Sequence, residues 1–163
     1  MKAAIAILLS AGAVAAVAVA AHSAGPASTT PTAESGCSFT SLPRPAAAGG
    51  QTLYGRIRSL VRVGDGFELR FDPALYLTGS TASQAALEDT GSADVPNDVY
   101  VRDESHALLT YRVPADADAT ILTHGTCSTS TSVVQLAESV PSAGFWILVD
   151  GDTVHSVDQQ YHP

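Results

Sequence analysis

The chain has 163 residues, with 8 Lys and Arg against 16 Asp and Glu, a formal charge of −8, and two cysteines. That length suits one core-forming domain. The acidic balance argues against nucleic acid and anionic lipid surfaces as partners.

Met1, Lys2 and an uncharged Ala/Val/Leu run reaching Ala24 read as a secretory leader over residues 1–24. Ala18-Val19-Ala20 and His22-Ser23-Ala24 offer small-residue cleavage sites. The stretch Ala3 to Ala21 approaches bilayer-spanning length, so an uncleaved anchor is the alternative, and membrane association is expected only in that case. Cleavage is preferred because the run is mostly alanine. Either outcome puts the domain outside the cell or in its envelope. The only lysine, Lys2, leaves with the leader, so the mature chain has seven arginines against sixteen carboxylates, a formal balance of −9. In an oxidising compartment Cys37 and Cys127 are expected to pair.

Residues 25–50 are rich in Pro, Ser, Thr, Ala and Gly, with Pro26, Pro31, Pro43 and Pro45 among them, and read as a linker that cannot build a core. The globular domain spans 51–163. It opens with a strand in which Ile57, Ser59, Val61 and Val63 alternate with Arg56, Arg58, Leu60 and Arg62. After Gly64-Asp65-Gly66 the alternation resumes as Phe67, Leu69 and Phe71 against Glu68, Arg70 and Asp72, which predicts a hairpin. Thr81 with Gln84 has the pattern of a capping box, and Ala82, Ala85, Ala86 and Leu87 supply the apolar side of a short helix.

Val99 to Val101 and Leu108 to Val113 are predicted to form a second hairpin across a polar break. Ala119 to Thr123 is a further strand. The Thr/Ser tract then leads to a second capping box, Ser132 with Gln135, and a helix through Leu136. Phe145 to Val149 carries bulky side chains on both faces and should be a central strand, turned by Asp150-Gly151 into Thr153 to Val157. About seven short strands and two small helices make the fold mainly β (α+β): a small, partly open barrel of the OB type with a helix after the first hairpin.

Four arginines, Arg56, Arg58, Arg62 and Arg70, are expected as a row on the outer face of the first hairpin. They offer bidentate donors for a carboxylate or wall phosphate, or else cross-strand partners for Glu68 and Asp72. Tyr54, Tyr76, Tyr100, Tyr111 and Trp146 are candidates for a binding face or for core packing. Asp150, Asp152 and Asp158 are the densest set of metal-ligand types. They miss the calcium-loop pattern, since His155 stands where the glycine is needed and Tyr161 where the glutamate is needed. No cofactor is implied, because phosphate-loop, dinucleotide and zinc motifs are missing from the sequence.

His124 close to Cys127 supports a nucleophile, and Leu122-Thr123 leading to Thr126-Cys127 resembles the strand-end cysteine of sortases. That resemblance implies a cysteine transferase, and it lacks the downstream arginine such an enzyme uses. An exported inhibitor with Gly125 to Ser132 as its reactive loop is a third reading. Phe71-Asp72-Pro73-Ala74 with Leu77-Thr78-Gly79, Val95-Pro96-Asn97-Asp98-Val99-Tyr100-Val101 and Asp158-Gln159-Gln160-Tyr161 resemble a loose, uncharacterised group of exported proteins of high-GC Gram-positive bacteria. The resemblance covers the folded domain. It implies structural weight for Asn97, Asp98 and Tyr100, and no activity. The leading expectation is a secreted or envelope-associated binding module for an unknown protein or cell-envelope ligand.

Overall fold

The computed structural model describes residues 42–103, 107–124 and 127–161. The expected leader (residues 1–24), Cys37 and most of the expected linker lie outside them. Two long strands organise the fold, β1 (Gln51–Val63) and β2 (Gly66–Thr78), joined by the two-residue turn Gly64-Asp65. The turn takes its positive φ at Gly64, ahead of the expected Asp-Gly pair, which is the glycine-first composition suited to a tight hairpin.

Arg58 is an extra residue in β1, since Ile57 pairs with Phe71 and Ser59 pairs with Arg70. This bulge corrects the simple alternation expected from the sequence. One unpaired residue exchanges the two faces of the strand, so Leu60 turns inward against Leu69 while Val61 and Val63 are exposed.

The predicted second hairpin does not form. β3 (Val99–Arg102) and β4 (Leu109–Pro114) each pair antiparallel with β2, which at 13 residues is long enough to seat both along one edge. Helix α1 (Gly79–Thr90) sits between β2 and β3 in the chain and packs Ala82, Ala85 and Ala86 inward. Its N-cap is Thr78, and the Thr81 hydroxyl donates to the Thr78 carbonyl (2.7 Å), so the expected Thr81 box is absent. Arg102 ties β3 to the helix through Asp89, Glu88 and the Ala85 carbonyl. Hydrogen bonding from Arg102 holds the Asp89 carboxyl below its usual range, and Tyr100 also donates to it. Asn97 and Asp98 both adopt positive φ, 52° and 56°, a conformation that short polar side chains tolerate best. That gives the Asn97-Asp98 pair its structural role.

The Thr/Ser tract adds an eighth strand. β5 (Asp118–Thr123) and β6 (Cys127–Ser132) pair antiparallel, and β-branched threonines suit an edge of this kind. α2 (Val133–Glu138) follows with the predicted Ser132/Gln135 capping box complete, and it delivers Val133 and Leu136 to the core. β7 (Gly144–Asp150) lies between β1 and β8 (Thr153–Gln160), as its two apolar faces predict.

The pairings β1–β2, β2–β4, β4–β8, β8–β7 and β7–β1 close a ring of five strands. It is antiparallel except at β4–β8, which meet at one residue pair, Arg112 with Thr153. A single pair makes a thin seam, so the barrel is partly open. Its interior is filled by Leu60, Phe67, Leu69, Phe71, Val113, Phe145, Ile147, Val154 and Val157 with the α2 residues. The expected mainly β, OB-like barrel with short helices is the observed class.

The last part of the linker is fastened to this sheet. Arg44 bridges Asp118 (3.1 Å) and Asp158 (2.7 Å), and its carbonyl accepts from the Thr52 hydroxyl (3.0 Å).

Candidate functional site

Directly opposed residues of a sheet point to the same side. The outward face of β1, β2 and β4 can therefore be laid out from the register. Arg56 stands opposite Asp72, Ser59 opposite Arg70 and Val61 opposite Glu68. On the other flank of β2, Arg70 stands opposite Thr110 and Glu68 opposite Arg112. Arg56, Arg70 and Arg112 are all exposed, and among the described residues no ion pair or hydrogen bond engages their guanidinium groups. Arg58, lifted out by the bulge, docks its Nε on Asp72 Oδ2 (2.9 Å), and Nη2 meets the same oxygen. Asp72 is 4 % exposed, so this pair fixes the guanidinium with its remaining N–H groups toward solvent. Four of the seven arginines thus share one face with two carboxylates, Asp72 and Glu68.

The expected row is therefore redrawn. Arg62 leaves it, because the bulge turns this residue inward at the hairpin end, where its guanidinium sits 4.8 Å over the Phe67 ring. Arg112 joins it. That arginine lies on the strand the sequence assigned to a separate hairpin, so its approach to β2 was not readable from local pattern. At the Arg112 end the face adjoins a recess of about 920 Å³ walled by both hairpin turns, with Asp65, Glu68, Arg112, Asp116 and Asp152 around it. The Arg112 amide donates to the Asp152 carbonyl (2.8 Å) and holds that wall in place.

The other candidates are scattered. Asp150 and Asp152 are exposed at the β7–β8 turn, whereas Asp158 is buried near the far end of β8 and receives Arg44, Thr120 (2.6 Å) and Ser156 (3.0 Å). Six residues of strand, about 20 Å, separate Asp152 from Asp158. Among the described residues no three His, Cys, Asp or Glu side chains converge as a metal would require. His124 is exposed with φ of 49°, in the turn between β5 and β6, and Cys127 opens β6 opposite Thr123. Gly125 and Thr126, the centre of the inhibitor-loop reading, lie outside the described residues, as does Cys37.

Three of the five aromatic candidates converge. Tyr54, Tyr76 and Trp146 meet on the outer side of the sheet with ring centroids 4.9, 5.1 and 5.5 Å apart, tilted or edge to face. A shallow cavity of about 350 Å³ opens beside them. Gln160 accepts from the Trp146 indole (2.8 Å), and burial raises the pKa of Tyr54 and Tyr76. Tyr111 instead packs against the core and Tyr100 serves the α1 network.

The Tyr54 phenol lies where a Cβ on residue 144 would stand, which is why β7 begins with glycine. Gly144→Ala is expected to cost about 2 kcal/mol by overpacking. The drop should appear in thermal melts together with altered Trp146 emission, and an unchanged melt would show that the ring has room to move.

No family model, curated protein or solved structure matches this chain.

Proposed function

We propose that the protein is an exported or envelope-associated binding module that captures an anionic ligand on the arginine face of its barrel. The observation that carries this reading is the set of guanidinium groups without partners among the described residues, Arg56, Arg70 and Arg112, beside an Arg58 fixed by Asp72. The contrast with Arg44 and Arg102 is informative, since both of those are consumed by carboxylates of the fold. In OB-type barrels the face over the second and third ring strands, here β2 and β4, is the usual ligand surface, an analogy of fold that agrees with the side chains. The net charge of the chain does not cancel such a site. Acidic groups elsewhere are screened beyond about 8 Å at physiological salt, so contact chemistry follows the local arginines.

Export brings with it a Cys37–Cys127 disulfide. Arg44 contacts Asp118, which is paired with Ser132 at the far end of β6 from Cys127. That strand length is about 16 Å, and the seven residues from Cys37 to Arg44 span up to about 24 Å, so the linker is long enough to close the bond.

A protein with formal charge −9 should pass through a negatively charged phosphocellulose matrix at neutral pH and low salt. The mature domain is expected to be retained and released by salt, and the triple variant R56Q/R70Q/R112Q is expected to flow through. Flow-through of the unmodified domain at low salt would overturn the reading.

A further inference from the structure

We infer that the anion taken by this face is a single-stranded nucleic acid, its phosphates lying along the arginines and one unstacked base lying on Trp146. The inference rests on the arginine-face reading and deepens it. Its ground is a diagonal that crosses four strands. Arg112 on β4 stands opposite Glu68, Arg70 lies two residues along β2 from Glu68, and Arg56 on β1 stands opposite Asp72, two residues further along β2. Trp146 on β7 stands opposite Tyr54, which is two residues from Arg56 along β1. Each step is one strand across and one same-face position onward, so the three arginines lead to the aromatic cluster. With about 4.8 Å between strands and about 6.8 Å between same-face residues, neighbouring Cα atoms on this diagonal are roughly 8 Å apart and its ends roughly 25 Å apart.

Charge and rings meet at Gly144. This glycine stands opposite Arg56 on one side and Gln160 on the other, and the Tyr54 phenol occupies the space a side chain there would fill. Gln160 accepts from the Trp146 indole (2.8 Å) and so holds that ring from the row of Arg56. Burial and the neighbouring Tyr76 raise the Tyr54 phenol pKa, and the Arg56 charge pulls it back, as a guanidinium beside the ring would. The cavity of about 350 Å³ opens at Tyr54, Tyr76 and Trp146, with Pro73 and Leu75 as apolar walls, and gives a flat ring a place to enter.

Sequence-tolerant binding of single strands combines a positive track for the backbone with aromatic rings for unstacked bases, and this face carries both in sequence along one diagonal. Arginine suits phosphate through its planar fork of donors, and the hydroxyls of Ser59 and Thr110, flanking Arg70 in its row, add further donors for phosphate oxygens. The acidic surplus of the whole chain is not carried by this track. Asp72 and Asp158 are buried and paired with Arg58 and Arg44, so Glu68 is the one exposed carboxylate among the described residues of these four rows. A polycarboxylate or a base-free phosphate chain would use the arginines and leave the rings idle. A duplex keeps its bases stacked on one another, and an acidic polysaccharide has puckered rings with no π-face to set against Trp146. The aromatic cluster at the end of the charged track therefore selects a base-bearing single strand.

The test titrates the mature domain with an oligothymidylate across a range of salt, by calorimetry and by fluorescence. Trp146 is the only tryptophan, so its emission reports on the platform directly. Binding is expected to quench that emission, with a logarithmic salt slope of about −2 for three phosphates neutralised on a single strand. R70Q and R112Q should each reduce the magnitude of the slope by about 0.7 and keep the quench. Trp146→Ala should instead keep the slope and weaken binding about tenfold, the loss of one stacked base, while Trp146→Phe retains a ring and most of the affinity. An abasic strand with the same number of phosphates should bind about tenfold more weakly than oligothymidylate and leave the wild-type emission unchanged, a comparison that needs no variant to fold. Equal or tighter binding of the abasic strand, duplex DNA, polyglutamate or polygalacturonate would overturn the nucleic-acid assignment and leave the arginine face standing. Oligothymidylate binding without a change in Trp146 emission, or no binding by a domain that phosphocellulose retains, would do the same. Failure of the domain to bind phosphocellulose would instead remove the reading beneath it.

Discussion

On the proposed export and Cys37–Cys127 disulfide, replacing either cysteine by serine is expected to lower stability by about 4 kcal/mol, a fall of roughly 15 °C in melting temperature. The two cysteines are separated by about 90 residues, and a bond closing so long a loop removes much of the freedom of the unfolded chain. Either single variant and the reduced wild type should melt alike, since all three lack the same cross-link. Thiol titration of the denatured, unreduced protein should find no free sulfhydryl. Two free thiols, or serine variants as stable as the parent, would remove the disulfide and count against the proposed oxidising compartment.

Arg44→Ala should cost about 3 kcal/mol. Asp158 is 1 % exposed, and among the described residues Arg44 supplies its only positive charge, at 2.7 Å, while Thr120 and Ser156 add hydroxyl donors. Stripping one partner from a buried ion pair leaves a charge with neither water nor counter-ion, typically a loss of 3–5 kcal/mol. The lower end applies here because the Arg44 side chain remains 28 % exposed and the two hydroxyls persist. The double variant R44M/D158N carries no uncompensated charge and should recover much of the loss. Denaturant melts of the wild type and the two variants decide the matter. An Arg44→Ala protein within about 0.5 kcal/mol of wild type would mean that water reaches Asp158 and that Arg44 anchors nothing.

These two predictions concern one structural theme. Arg44 joins the linker to β5 and β8, and the cysteine pair would join it to β6, so both fasten the entering chain to the outer side of the sheet. Nothing in the linker's composition marks Arg44 as different from a solvated residue. Its role depends on Asp118 and Asp158, 74 and 114 residues away, lying on neighbouring strands.

Other parts were legible for physical reasons that can be named. The Ser132/Gln135 capping box is a contact between residues three apart, so its chemistry is complete within the sequence, and it forms. Thr81 and Gln84 have the same spacing and do not form one. The chain is already helical from Gly79, so the Thr81 hydroxyl turns back to the Thr78 carbonyl, and Gln84 bonds Glu88 instead. The central place of β7 was legible from Phe145 to Val149, because a strand apolar on both faces must be covered on both. The arginine face was legible in part. Alternation identified Arg56, Arg58 and Arg70 as outward, yet one bulged residue moved Arg62 out of the row, and the pairing of β4 with β2 brought Arg112 in.

By itself the sequence determined what depends on period and on neighbours within a few residues: a β-rich class, hairpins with glycine-bearing turns, the Ser132 cap, and a chain whose only lysine is Lys2. The tertiary structure decided which strands meet. It placed β3 and β4 end to end along β2, joined β4 to β8 at a single pair, and aligned three arginines from three strands. Strand pairing is a choice among edges that are nearly equivalent in local sequence. Only the burial of one common core by all the strands together selects between them, and the arrangement of charges on the outside follows from that selection.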